Sequence, residues 1–496
     1  MWRFVRAVLV AAAAWSMSAR AVSNGLAGTP QMGWDNWNAY GCNVTEETML
    51  ETGKKMVELG LRDLGYHYVI LDDCWSDGRD AHGVLKPNMT KFPRGMKDIA
   101  DSLHDMGLGF GMYSDAGSMT CGKYAGSLGH ETTDAQTFAK WGVDYLKYDN
   151  CFNEGQSGTP LITYQRYKAM SDALNATGRP ILYSLCNWGE DYPWKWAQTV
   201  ANSWRMSGDI VDTFDRPDPR CPCSGDEGYN CALPGFHCSA MNILNKVTSF
   251  VDKGIPGAWN DLDALEVGNG GMSDAEYVTH FSMWAAVKSP LIMGNNLGQL
   301  TPQAFSILTN PAVIAISQDA AGDSAVRRWR SSVEPQDEHG QGEIQMWSGN
   351  LAGGDYLVVL LNAATRDLVM KATLEDIFWD QGPSGTAPEV QQSWEVYDLW
   401  ASRMDSDTAD SILQAKNHTT GGSGTKPMLV RPTATLYNAT ATPYAVGLAQ
   451  RDPRVLGNLT TMVAPMGTLT AEVAQHSVAM FRLRAQPNGK RKRDEL

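Results

Sequence analysis

Short apolar runs alternate with longer amphipathic stretches from Met32 to about Leu291. The clearest runs are Tyr66–Leu71, Gly109–Tyr113, Tyr145–Tyr148 and Ile181–Ser184. Each is rich in β-formers and lies about 30–40 residues from the next, the length of a βα unit. Gly33–Trp34, Asn202–Arg205, Ala258–Trp259 and Pro290–Met293 bring the number to eight. Helical patterns fill the gaps at Thr45–Leu59, behind a Thr N-cap, and at Met96–Met106, Thr133–Trp141 and Leu161–Leu174. Eight alternating units predict an α/β fold, a parallel (β/α)8 TIM barrel rather than an open doubly wound sheet. After Gln318-Asp319-Ala320-Ala321-Gly322 the long helical stretches stop. Strand-like runs with turn punctuation follow at Glu343–Trp347, Tyr356–Leu361, Ser393–Tyr397, Met428–Val430 and Ser477–Leu483, the mark of an antiparallel β-sandwich. The expected division is a barrel over 22–322 and a sandwich over 323–489.

Two terminal segments fall outside this pattern. Arg3 and Arg6 precede the apolar stretch Ala7–Trp15, and Ala19-Arg20-Ala21 supplies small residues at a signal-peptidase site. Residues 1–21 read as a secretory signal peptide, and no later stretch reaches the ~18 apolar residues of a membrane span. The basic tail 490–496 ends in Arg493-Asp494-Glu495-Leu496, one residue from a Lys-Asp-Glu-Leu retrieval address of the endoplasmic reticulum. Retrieval address and solvated basic tail both remain open readings.

Composition narrows the class. The 496 residues are 43% hydrophobic and 19% charged, with a formal net charge of −14. That suits packed domains and argues against nucleic acid or anionic membranes as partners. Six Asn-x-Ser/Thr sequons, at Asn43, Asn88, Asn175, Asn417, Asn438 and Asn458, fit a secreted glycoprotein. Nine cysteines in an oxidising compartment read as disulfides plus one odd thiol. A four-thiolate zinc site among Cys221, Cys223, Cys231 and Cys238 lacks the Cys-x2-Cys spacing that zinc favours.

The chemistry sits where the apolar runs stop. They end in Trp34-Asp35, Asp72-Asp73, Ser114-Asp115, Asp149, Arg205 with Asp209, and Asp261 with Asp263. A single such acid is ordinarily a helix cap or a loop ion pair. In a parallel barrel, however, all of them share the C-terminal mouth, where active sites form. No His cluster or calcium-loop spacing accompanies them, so neither metal nor cofactor is expected. Sugar chemistry fits better, because Trp34, Trp75, Trp188 and Trp259 lie close by and indole faces stack on pyranose rings. Trp34, at a strand end, is the indole expected to act as such a platform. Glycosidic cleavage needs one carboxylate as nucleophile and another as acid then base, ~5–5.5 Å apart in retaining enzymes. Lys147 and Asp149 share one side of a strand, so the ammonium is expected to favour ionised Asp149. Asp209 is the candidate acid and should titrate above the ordinary carboxyl range.

The same residues resemble glycoside hydrolase family 27. The likeness runs through Thr29-Pro30-Gln31-Met32-Gly33-Trp34-Asp35-Asn36-Trp37, Ile70-Leu71-Asp72-Asp73-Cys74-Trp75, Tyr145-Leu146-Lys147-Tyr148-Asp149-Asn150-Cys151, Ser203-Trp204-Arg205-Met206-Ser207-Gly208-Asp209-Ile210 and Gly257-Ala258-Trp259-Asn260-Asp261-Leu262-Asp263. It is strongest with the fungal melibiases and covers the sandwich as well. The resemblance implies an α-galactosidase that retains anomeric configuration, with Asp149 as nucleophile and Asp209 as acid/base. It implies that Asp72 and Asp73 hold the 4- and 6-hydroxyls of galactose. Lys147, Arg205 and Asp263 would bind the other hydroxyls, and Tyr113, Trp34 and Cys121 would shape the pocket. It further implies the bridges Cys42–Cys74, Cys121–Cys151, Cys221–Cys238 and Cys223–Cys231, with Cys186 free. The family also holds α-N-acetylgalactosaminidases, but Trp188 would fill the space a 2-acetamido group needs. A galactose-binding protein without catalysis would lack one of the two carboxylates, and both are present.

Overall fold

The computed structural model of the protein describes residues 24–216, 221, 238–379, 387–415 and 436–486. The signal segment, Cys223 and Cys231, Asn417, the strand expected at Met428–Val430 and the terminal tail lie outside the described residues.

Eight parallel strands form the first domain: β1 (Met32–Asp35), β2 (Tyr68–Leu71), β3 (Gly109–Asp115), β4 (Tyr145–Asp149), β5 (Leu182–Leu185), β6 (Ser203–Arg205), β7 (Trp259–Asp261) and β8 (Leu291–Met293). They pair in sequence order from β1 to β7, with β8 beside β1. A parallel bridge between Leu265 and Met293 joins the segment after β7 to β8 and closes the barrel. Helices at Glu46–Glu58, Met96–Asp105, Glu131–Trp141 and Pro160–Ala176 follow β1 to β4. The first begins at Thr45, whose hydroxyl accepts from Thr48 N–H. The regular alternation fails once. Between β5 and β6 there are only the 3-10 turns Pro193–Lys195 and Ala197–Thr199, and Trp194 fills the gap by stacking on Phe250 at 4.0 Å.

Strand alternation sorts the side chains. On β4, Leu146 and Tyr148 point to the helices and join the main core, while Tyr145, Lys147 and Asp149 share the inner side. Tyr145 meets Ile70, Leu182 and Ile292 in a separate apolar cluster that plugs the lower barrel. Lys147 and Asp149 stand above it, towards the C-terminal mouth.

The second domain has a six-stranded antiparallel sheet. Its members are β9 (Val326–Ser332), β10 (Glu343–Asn350), β11 (Tyr356–Asn362), β13 (Trp394–Asp398), β14 (Asn458–Val463) and β16 (Ser477–Ala485), in the order β9-β10-β11-β16-β13-β14. The pair β12 (Leu368–Thr373) and β15 (Thr468–Val473) packs on it. β11 is buried on both sides. Tyr356, Val358 and Leu360 enter the core between the sheets, whereas Leu357, Val359 and Leu361 join the barrel core. The expected end of helical structure is not observed. A helix at Ser406–Ala415 and shorter ones at Tyr444–Ala449 and Pro453–Leu456 interrupt the sandwich. Their apolar residues, among them Ile412, Tyr444 and Leu456, pack into the barrel core.

Candidate active site

A cavity of about 500 Å³ opens at the C-terminal mouth of the barrel. Asp72, Asp73, Tyr113, Cys121, Lys147, Asp149, Trp188, Arg205, Asp209 and Asp263 all line it. Six strands or the loops after them contribute these groups, so the sheet brings together residues 191 positions apart in sequence (72 to 263).

Asp149 ends β4 and is buried. One carboxylate oxygen accepts from Asn150 N–H at 2.9 Å and the other from Tyr113 O–H at 2.8 Å. Burial raises its pKa, and Asp209 pushes the same way. Lys147 and the Tyr113 hydroxyl oppose this by favouring the anion, but burial prevails and Asp149 is pushed up to about 7. The ammonium of Lys147 does not touch Asp149, however. It bonds Asp72 Oδ2 at 2.7 Å and lies 3.8 Å from Asp35 Oδ2. Its effect on Asp149 acts through space.

Arg205 ends β6 and forks between two carboxylates, Asp209 at 2.9 Å and Asp263 at 2.7 Å. Asp209 keeps 45% of its side chain accessible at the cavity wall. Burial of its surroundings raises its pKa, and Asp263 adds to this. Arg205, the strongest opposing influence, pulls it down. The raising influences prevail, as an acid catalyst requires.

Asp73 accepts from Cys74 N–H and from Gly122 N–H, both at 2.7 Å. A side chain at position 122 would place Cβ 2.8 Å from Asp73 Oδ2, so the approach needs glycine. The bridge Cys121–Cys151 ties the loops after β3 and β4 beside this point. The structure also joins Cys42 to Cys74 and Cys221 to Cys238. Cys186 is free and buried, and burial pushes its thiol well above the usual range. Asp115, Cys121 and Cys151 gather within 4.8 Å, but the bridge consumes both sulfurs as metal ligands. Asn43, Asn175 and Asn458 are exposed, while Asn88 and Asn438 are half-buried with their amides engaged.

Trp188 and Asp263, both at the cavity, hold left-handed backbone at φ 56° and 80°. Such geometry persists only where the surroundings over-determine it. Beside Trp188, Gly189 has φ 79°, and a Cβ there would meet Met206 O at 2.3 Å.

The expectation for Trp34 requires correction. Its side chain is fully buried and donates to Asn295 O at 2.7 Å, so it presents no face to a sugar. The physical reason is strand parity. Asp35, paired with Ile70, shares the inner side with Lys147's partner Asp72, so Trp34 must point to the helices. Trp37, just past the strand, lines the cavity instead and is 38% exposed. Trp75 and Trp259 are buried and donate to Tyr113 O and Ala27 O. Sequence reasoning also passed over Asn38, Asp212, Glu266 and Asn269 in the cavity wall. Counting alternate positions through Asp35 would have excluded Trp34. Nothing comparable marks Glu266, which reaches the wall from a loop.

Comparison with known proteins agrees with this geometry. The family profile described as "Alpha galactosidase A" matches residues 29–217 and 238–319. The chain belongs to the α-galactosidase A (melibiase) family. The profile of that family's C-terminal β-sandwich domain matches residues 341–425. An α-galactosidase of Lachancea cidri is 55% identical over 463 residues, covering 93% of this chain and 95% of its own. Among solved structures, an α-galactosidase of Saccharomyces cerevisiae is similar at TM-score 0.89 and 51% identity, covering 94% of this chain and 100% of its own. The S. cerevisiae α-galactosidase solved with raffinose gives TM-score 0.88 at 52% identity, with 93% and 99% covered.

Proposed function

We propose that the protein is a secreted, retaining exo-α-galactosidase that removes terminal α-linked D-galactose by double displacement. The observation that carries this reading is the convergence of Asp149 and Asp209 on one cavity, Asp149 held by the Tyr113 hydroxyl and Asp209 by the Arg205 guanidinium. An Asp149 oxygen attacks the anomeric carbon, the glycosidic C–O bond breaks, and the leaving oxygen takes the proton of Asp209. Water then gives a proton to Asp209 and its oxygen to the anomeric carbon, releasing Asp149 and galactose of unchanged configuration. In the resting cavity the hydrogen bond from Tyr113 keeps one Asp149 oxygen engaged, which leaves Asp149 a directed nucleophile.

Asp72 and Asp73 are the proposed acceptors for the 4- and 6-hydroxyls, with Lys147, Arg205 and Asp263 serving the remainder. Trp188 lines the cavity and is the proposed block to a 2-acetamido group, which would disfavour α-N-acetylgalactosaminides. Melibiose, raffinose-type oligosaccharides and galactomannan side chains carry the required terminal galactose. A raffinose-bound relative and the disulfides of an oxidising compartment support the substrate class and secretion. The domain division at about residue 322 belongs to the same reading.

The test is hydrolysis of a chromogenic α-galactoside by wild type and Asp149→Asn, with the anomeric form of the first product followed by NMR. Comparable turnover by the two proteins, or a first product of inverted configuration, would overturn the mechanism.

A further inference from the structure

Asp209 lies in the stretch Met206–Arg216 that follows the end of β6 at Arg205, and this stretch contains no helix or strand. A catalytic group on a stretch without regular structure needs outside support to be held with precision. On the inner side the support is local. Ile210 N–H donates to Asp263 Oδ2 at 2.8 Å, and Cys238 N–H donates to Asp209 O at 2.7 Å.

The outer side is held by Gly271, by residues of the barrel helix Asp274–Ala286 and by one residue of the sandwich. Tyr277 donates its hydroxyl to the Asp212 carboxylate at 2.8 Å. Gly271 N–H donates to the same carboxylate, and a Cβ on Gly271 would strike Asp212 O at 2.2 Å. Two residues on, Phe214 stacks on the imidazole of His476 with centroids 4.9 Å apart and planes 29° apart. His476 sits in the turn between β15 and β16, in the sandwich. Its Nδ1 lies 2.8 Å from Glu276 Oε1, next to Tyr277, and its carbonyl accepts from Thr279 O–H at 2.9 Å. The Glu276 carboxylate holds the imidazole above its ordinary pKa. His476 also has φ 53°, a left-handed conformation rare outside glycine. Three independent contacts thus fix a strained turn against the back of the catalytic loop.

We propose that His476, contributed by the sandwich, is a positioning residue for the catalytic acid: with Glu276 and Tyr277 it fixes the segment from Asp212 to Phe214 and so aims Asp209 at the leaving oxygen. This rests on the acid/base role proposed for Asp209. It assigns the second domain a part in catalysis through the stacking of His476 on Phe214.

A misaimed acid affects substrates unequally. Melibiose needs its leaving oxygen protonated, whereas 2,4-dinitrophenolate departs without help. The readout is therefore the ratio of kcat/KM on 2,4-dinitrophenyl α-galactoside to that on melibiose, which does not depend on how much of a preparation is folded. His476→Ala should raise this ratio about tenfold, within the range that a small misplacement costs. Tyr277→Phe should raise it in the same direction. Asp209→Ala sets the ceiling, about 10²–10⁴-fold above wild type. An unchanged ratio in both His476→Ala and Tyr277→Phe, whatever the total activity, overturns the inference while leaving the acid assignment intact. An unchanged ratio in Asp209→Ala overturns the acid assignment itself.

Discussion

The upper and lower halves of the barrel interior share β2 and β4 but differ completely in chemistry. Below, Ile70, Tyr145, Leu182 and Ile292 form a closed apolar plug. Above, Asp35, Asp72, Lys147, Asp149, Arg205, Asp261 and Asp263 crowd charges into a space largely shielded from water. β4 crosses from one regime to the other within five residues, from Tyr145 to Asp149. The lower layer stabilises the fold, and the upper layer is held in place by that stability. Buried ion pairs gain little over apolar packing. Their presence here reflects the reaction they serve.

Substitutions in the two layers should therefore fail in different ways. Asp149→Asn, nearly isosteric, should reduce kcat/KM by about 10⁴-fold or more with little change in thermal unfolding, as assay and calorimetry on one preparation would show. Removing the Lys147 ammonium with Lys147→Met strands Asp72 and Asp35 together. It should cost about 3–5 kcal/mol in denaturant unfolding and also depress activity. Leu182→Ala in the plug should cost about 2–5 kcal/mol, leaving kcat/KM of the folded fraction within about twofold of wild type. A large fall in kcat/KM there would show that the two layers are not separable.

A further expected effect is on the pH dependence of stability. Burial raises Glu266 to about 8 and Asp261 to about 6, from ordinary values of 4.5 and 3.8. Asp35 shifts in the same direction. The folded protein thus keeps protons that the unfolded chain has already released. The stability these three acids contribute is greatest below their unfolded values and is lost as pH rises from about 4 towards 8. The thermal midpoint should decline across that window, and Glu266→Gln should flatten the decline. A midpoint that rises from pH 5 to 8 would contradict the buried-acid account.

The eight barrel strands were legible because each is an apolar run ending in polar residues, and alternation within such runs is strong. Alternation puts Lys147 and Asp149 on one side and, counted from Asp35, turns Trp34 outward, whereas Trp37 lies past the strand, where a period of two no longer holds. The 3-10 turns between β5 and β6 left no sequence mark, since Trp194 fills by packing what a helix would have filled. The helix Ser406–Ala415 interrupts the sandwich for a tertiary reason. Ala409 and Ile412 pack in the barrel core, a partner that sequence spacing in the second domain does not reveal. Glu266 was invisible for the opposite reason to Asp149. It lies in a loop, where no period applies, and reaches the cavity only through folding of the segment after β7.

β11 has no side facing solvent, so the barrel and the sandwich share one packed contact along it. A barrel expressed without its partner would lose the cover provided by Leu357, Val359 and Leu361, each worth about 1.5–3 kcal/mol when buried. Transplanting the sandwich of a distant relative would have to match that ridge as well as the turn at His476. Exchange of modules between such enzymes is therefore constrained by the hidden side of a single strand, which drift cannot alter on one half without a matching change on the other.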